Sequence, residues 1–215
     1  MKKVVLIIVL CALYTAPALA DMYISVADGQ WGTTNGGEFL ITVVEGPIGI
    51  YDPTDQFKTF CIETDEFLNY GGKYYVTIDT VAWQGGTGGN EPDPLSPQSA
   101  YLYSLWLNGT DGVNTIVYND DTANAIQKAI WYFEEEIVGL PTEDYDDFVT
   151  LANIAVADGD IWGNTIGNIR VMNLWNNVNH TGNAQDLLVR VPVPGAILLG
   201  ILGLGVAGIK LRKYT

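Results

Sequence analysis

An α+β fold, an antiparallel β-sheet or barrel with an inserted helical subdomain, is predicted by the order of patterns along this 215-residue chain. Runs rich in β-branched and aromatic residues come first, helical periodicities with capping residues fill the middle, and strand character returns towards the end. A hydrophobic segment at each terminus flanks this core and is read as a signal, outside the fold.

Residues 1–20 carry Lys2 and Lys3, an apolar run from Val4 to Leu13, and Ala18-Leu19-Ala20 ahead of Asp21. That is the layout of a secretory signal peptide. Its removal takes Cys11 away and leaves Cys61 as the single cysteine of the mature chain. Secreted chains of this size usually spend cysteines on disulfides. A lone thiol in an oxidising compartment is vulnerable unless it is buried or chemically occupied.

Residues 21–190, about 170 residues, suffice for one well-cored domain. Met22 to Val26 and Glu38 to Val44 read as strands between Gly-rich turns. Phe57 to Ile62 alternates loosely and carries Cys61. Lys73 to Trp83 reads as one long strand, with Asn69-Tyr70-Gly71-Gly72 as a hairpin turn before it. Trp83 to Pro94 is a Gly, Pro and Asn-rich loop.

The helical insertion spans about 96–157. Ser96-Pro97 pairs an N-cap with proline at the first helical position, opening a helix to about Leu107. Asp121 or Thr122 caps a second helix to about Ile137. A third starts at Pro141-Thr142-Glu143-Asp144 and runs to about Ala157, with acids at its positive end. Strands return in Asn168 to Trp175 and Asp186 to Val191.

The charge is extreme. The chain holds 25 acidic and 10 basic residues. Five of the basic ones (Lys2, Lys3, Lys210, Arg212, Lys213) lie in the terminal signals, so the exported part carries 5 − 25 = −20. Nucleic acid is excluded as a partner, because little basic surface remains to neutralise phosphates. Such a surface favours solubility and attracts cationic groups.

Residues 191–215 form a tripartite tail. Val191-Pro192-Val193-Pro194-Gly195-Ala196 precedes an apolar run to Ile209, then Lys210, Arg212 and Lys213. The run is shorter than the roughly 20 residues that comfortably cross a bilayer, and its basic end is expected to stay cytoplasmic. The tail resembles the PEP-CTERM sorting signal of Gram-negative bacteria in its Val-Pro-x-Pro-Gly-Ala form, carried here by Val191, Pro192, Pro194, Gly195 and Ala196. Val193 stands where the commoner form has Glu. The resemblance implies an exosortase-type processing enzyme as partner. It also implies transient inner-membrane anchoring before release to the cell surface or extracellular matrix. A plain C-terminal anchor is the alternative.

The second helix carries the chemistry. Ala123, Ile126, Ile130 and Phe133 recur at three- and four-residue intervals and mark its buried face, which Gln127 flanks. Phe60-Cys61-Ile62 and Ile126-Gln127-Lys128-Ala129-Ile130-Trp131 together resemble the two motifs of the thioester-domain family, best known in Gram-positive surface adhesins. The first is an aromatic or aliphatic residue, Cys and an apolar residue. The second is an apolar residue, Gln, two further positions, an apolar residue and Trp. The resemblance implies an internal thioester between Cys61 and Gln127, with Phe60, Ile62, Ile126, Ile130 and Trp131 as motif and shielding residues.

The chemistry follows from the groups themselves. A thiol attacking a carboxamide expels ammonia, so it needs fixed proximity and donors for the developing oxyanion. The product is a stored acyl electrophile that survives only where water is excluded, and Phe60, Trp131, Tyr132 and Phe133 offer that shielding. An amine or hydroxyl on an extracellular protein or polysaccharide then attacks the Gln127 carbonyl and stays attached. This is one-shot capture, with no turnover, no cofactor and no enzyme activity.

Other classes compete. A noncatalytic structural protein of an exopolysaccharide or biofilm matrix, with a buried free cysteine, is the main alternative. A Cys-His hydrolase would need His180, the sole histidine, and no motif joins it to Cys61. Asp144, Asp146 and Asp147, or Asp158 and Asp160, lack the spacing of an EF-hand calcium loop. Zinc has too few ligands, so no metal is expected.

Overall fold

The computed structural model describes residues 21–33, 36–83 and 92–192. The signal segment, the middle of the Gly-rich loop and the sorting-signal residues Pro194, Gly195 and Ala196 lie outside the described residues. The strands are β1 (Tyr23–Thr33), β2 (Gly36–Glu45), β3 (Gln56–Thr59), β4 (Lys73–Asp79), β5 (Val81–Ala82), β6 (Asp93–Pro94), β7 (Ile169–Trp175) and β8 (Asn183–Arg190). Between β6 and β7 come three helices, α1 (Pro97–Asn108), α2 (Asp120–Phe133) and α3 (Asp146–Ala157). The architecture is mixed helix and antiparallel sheet, as the order of sequence patterns predicts.

Six strands form one antiparallel sheet in the order β3-β2-β1-β4-β7-β8, and β5 pairs with β6 apart from it. The sheet closes on itself just beyond β3. Cys61 bridges Leu187 of β8, the Leu188 N–H donates to the Phe60 carbonyl, and the Ile62 N–H donates to the Asp186 carbonyl. Thr59 Oγ1 adds a bond to the Leu188 carbonyl at 2.6 Å. Phe60–Ile62 is thus the seam of a barrel.

Two cores result. Ile24, Val26, Ile41, Val43, Tyr74, Val76, Met172 and Leu187 fill the barrel, together with Cys61. Phe60, Ile62, Val171 and Leu188 point the other way, into a second core under the helices with Leu102, Trp106, Ile126 and Ile130. The seam and strands β7 and β8 are therefore buried on both faces, which explains the near-continuous apolar runs there.

Where the end of β1 meets the start of β2, Gly32 and Gly37 face each other at positive φ (113° and 120°). A Cβ on Gly32 would lie 2.3 Å from the Gly37 Cα, so neither position accepts a side chain. This end of the hairpin docks on α2, with the Gly32 and Thr33 N–H groups donating to Asp120 and Asn124.

Several boundaries differ from expectation. The Cys61 strand ends at Thr59, and Cys61 pairs in the seam instead. The long strand from Lys73 breaks at Thr80, where Asp79 accepts the Thr80 N–H. Asn69–Gly72 does form a tight turn, the Gly72 N–H reaching the Asn69 carbonyl, but β3 and β4 are not neighbours, so it joins no hairpin.

Among the helices, Ser96 caps α1 as expected, accepting the Ser99 N–H. α2 is capped by Asn119, whose side chain accepts the Thr122 N–H, and not by Asp121 or Thr122. It ends at Phe133, short of Ile137. α3 begins at Asp146, later than Pro141; Pro141 and Thr142 lie in the approach, with the Tyr145 N–H on the Thr142 carbonyl. Among the described residues no helix is long and apolar enough to cross a membrane.

Candidate functional site

Cys61 and Gln127 are 66 positions apart in sequence and meet in space. The seam holds Cys61 with its side chain towards the barrel core. On α2, Ala123, Ile126 and Ile130 face the helical core, and Gln127, fully buried, emerges between the two cores. The Gln127 carboxamide pairs with both backbone groups of Cys61: Nε2 donates to the carbonyl at 2.7 Å, and Oε1 accepts the N–H at 3.2 Å. The Cys61 thiol lies 3.4 Å from the same Oε1. Buried amides demand partners, and this pairing satisfies the carboxamide through the residue whose sulfur it faces.

The arrangement has the parts that acyl transfer needs. Sγ sits beside the oxygen of the carbon it would attack, so a change in side-chain torsion brings sulfur to Cδ from near-attack range. The Cys61 N–H already binds Oε1 and would hold an oxyanion forming there. Cys61 is 2 % exposed, which keeps bulk water away.

Burial pushes the Cys61 thiol well above its usual pKa, and the nearby Glu63 charge pushes in the same direction. Trp131 opposes them. Its indole N–H is buried without a partner at hydrogen-bond geometry, yet it bears on the sulfur closely enough to favour charge there. Trp131 packs with the Cys61 cluster in the barrel mouth.

The other motif residues lie elsewhere. Phe60 and Ile62 alternate away from Cys61 into the helical core, where Phe60 meets Trp106 edge-on with ring centroids 5.4 Å apart. Ile126 and Ile130 are buried in that same core, and Tyr132 and Phe133 pack on its rim. Among the aromatics expected to shield the site, Trp131 alone belongs to the thiol's own cluster; the rest brace the elements that carry the pair. Val191 and Pro192 follow β8 directly, with the Val191 N–H on the Asn168 carbonyl.

A group of buried acids surrounds the seam, and sequence reasoning missed it. Glu63, Glu66, Glu136 and Asp186 are all buried. Glu136 accepts the Thr64 N–H and hydroxyl at 2.9 and 2.8 Å, tying the chain after Cys61 to the end of α2. Asp186 accepts the Leu174 N–H, and Glu63 accepts the Asp186 N–H. Burial, then the charge of Asp186, lifts Glu63 to about 10. Burial likewise raises Asp186 well above the ordinary carboxylate range. Seam position is the signal that would have found them: a segment apolar on both faces leaves its acids no solvent.

The remaining candidates have local roles. His180 stacks on Trp175 and Tyr75 in the β7–β8 turn, with ring centroids 4.9 and 5.7 Å away. Asp144 accepts from Lys128 and Thr142, Asp146 and Asp147 open α3, and Asp158 accepts the Asp160 N–H. Among the described residues no group of three or more His, Cys, Asp or Glu side chains is arranged to hold a metal ion.

No family model and no curated protein matches the chain. Two solved structures are similar, both from Streptococcus pyogenes. One is the N-terminal domain of the pilus tip adhesin Cpa, at 10% identity and a TM-score of 0.48, covering 83% of this chain and 97% of that one. The other is the N-terminal thioester domain of the fibronectin-binding protein SfbI, at 11% identity and a TM-score of 0.43, covering 83% of this chain and 98% of that one. The chemistry of the site rests on its own geometry and draws nothing from these likenesses.

Proposed function

We propose that the protein is an exported surface protein whose Cys61 and Gln127 form an internal thioester for covalent attachment to an extracellular partner. The observation that supports this reading best is the buried Cys61–Gln127 pair, with sulfur, acyl group and oxyanion donor together. Formation joins Sγ to Cδ and releases Nε2 as ammonia. Capture by an amine or hydroxyl joins the partner to Cδ and returns Cys61 as a thiol. The act is single-use attachment, which is adhesion rather than enzymatic turnover. The acidic surface draws amine-bearing partners towards the site. The signal-like first segment and the sorting-signal resemblance of the tail support export in a Gram-negative cell, with an exosortase-type enzyme processing residues 191–215 on the way to the surface.

Intact-mass analysis of the purified protein tests the chemistry. The expected chain is one ammonia lighter than its sequence, gains one methylamine on Gln127 to end one methylene heavier than its sequence, and shows neither property in Cys61→Ala. A full-mass wild-type chain whose Cys61 alkylates on unfolding and whose Gln127 never takes methylamine rejects the thioester.

A second reading, a noncovalent matrix protein, draws on a groove of about 630 Å³ lined by Trp31, Tyr51, Phe57, Trp106 and Tyr118 with Gln30 and Gln56. Aromatic faces beside carboxamides suit neutral saccharides. That reading predicts saccharide binding insensitive to Cys61→Ala.

A further inference from the structure

The two carboxyl oxygens of Glu63 have different surroundings. Glu63 stands two positions beyond Cys61 on the seam and is 3 % exposed. Its Oε2 accepts the Asp186 N–H at 3.0 Å, and its main-chain carbonyl accepts Gln185 Nε2 at 2.9 Å, so the residue is clamped to β8. Its Oε1 is buried with no hydrogen-bond partner. A clamped carboxyl with one spare oxygen is an expensive arrangement for structure alone.

The chemistry proposed above leaves a proton unassigned. When a partner amine attacks Cδ, the Cys61 sulfur must leave. Burial disfavours a thiolate there, so the sulfur has to gain a proton as it departs. The sole histidine is stacked on aromatic rings in the β7–β8 turn, and Lys128 is engaged by Asp144. We propose that Glu63, through its unpartnered Oε1, carries protons for the Cys61–Gln127 pair.

The steps balance. In capture, the amine nitrogen bonds to Cδ and the Cδ–Sγ bond breaks; Glu63 gives its proton to the sulfur and recovers one from the new amide nitrogen. The products are a substituted amide on Gln127, the Cys61 thiol and a protonated Glu63. In formation the direction reverses: Glu63 protonates the departing Nε2 and takes the thiol proton, releasing ammonia. Glu63 holds its proton at neutral pH, since burial and then Asp186, Glu66 and Glu136, the charged groups that face it, raise it to about 10.

The proposal rests on the thioester reading, and one experiment separates the two. Wild type and Glu63→Gln are compared for methylamine addition to Gln127 between pH 6 and 11. General acid–base assistance is worth roughly 10²–10⁴-fold, so the variant is expected to react at least about 100-fold more slowly at pH 7. The wild-type to variant ratio is expected to shrink towards one as pH passes about 10, where Glu63 loses its proton. The amine's own ionisation cancels in that ratio, and a merely structural role would leave it flat. Equal rates or a flat ratio overturn the role of Glu63 and spare the thioester. A wild type with neither the ammonia-light mass nor an adduct overturns both. Should Glu63→Gln not fold, the wild-type rate per free amine decides: a fall through about pH 10 supports Glu63, and a constant value rejects it.

Discussion

Gln127 binds both main-chain groups of Cys61, giving a hydrogen bond to the carbonyl at 2.7 Å and taking one from the N–H at 3.2 Å. The same carboxamide that faces the sulfur thus completes the hydrogen bonding of the barrel seam. Relative to a chain whose thioester has not formed, Gln127→Ala would strand the buried Cys61 N–H and carbonyl, each costing about 1–3 kcal/mol. A loss of about 2–4 kcal/mol in urea unfolding is expected. Cys61→Ala keeps both backbone bonds and is expected to lose less than half as much.

Trp131→Phe keeps the aromatic body in the barrel mouth and removes the indole N–H that bears on the sulfur. Hydrogen bonds to charged groups are worth about 1.5–3 kcal/mol, so roughly 10–100-fold slower methylamine capture is expected if sulfur charge develops in that step. Stability in urea should change by less than about 1 kcal/mol. Slow capture with unchanged stability distinguishes an electronic role from shielding.

The buried acids give stability an unusual pH dependence. Glu63 is raised to about 10 and Glu134 to about 7, and Asp186 is raised as well, all chiefly by burial. The native state therefore holds protons that the unfolded chain releases at ordinary carboxylate values. The stabilisation is complete below about pH 4.5 and is lost as pH rises through these native values. A Tm falling by several degrees between about pH 6.5 and pH 9 is the expected signature of the buried group. Calorimetry at fixed ionic strength measures it, and Glu63→Gln should flatten the upper part of the fall.

Glu38 is the joint between the β1–β2 hairpin and α1. Its buried carboxylate accepts the Gln30 and Trp31 N–H groups and the Trp106 indole N–H, and pairs with Lys58 at 2.9 Å. Glu38→Ala leaves the buried Trp106 indole N–H without its partner and removes the ion pair to half-exposed Lys58, a loss expected at about 1–3 kcal/mol. The residual folded fraction should keep the ammonia-light mass, because Glu38 touches neither Cys61 nor Gln127.

What could be read from the sequence was local. Ser96-Pro97 announces α1 because cap and first-turn proline are adjacent, and the heptad around Gln127 announces a buried helix face. The α2 cap was misplaced because Asn119, Asp120, Asp121 and Thr122 are all polar cap formers, and only backbone geometry selects Asn119. The hairpin expected at Asn69–Gly72 failed because turn residues report a turn and not which strands it joins. The seam lay furthest out of reach: Cys61 pairs with Leu187, far along the chain, and no local pattern encodes that choice. The burial of Glu63 and Asp186 follows from the seam and was hidden with it.

The position of Gln127 on α2 decides where force would travel. Under the proposed capture the partner sits on Gln127 and the Cys61 cross-link is gone, so everything N-terminal to Gln127 lies off the line of tension to the C-terminal end. Tension between a partner held there and the chain beyond Arg190 runs only through α3, β7 and β8. The β7–β8 ladder and the bonds from β8 to Phe60 and Ile62 would resist first, and the barrel would be stressed at its closure.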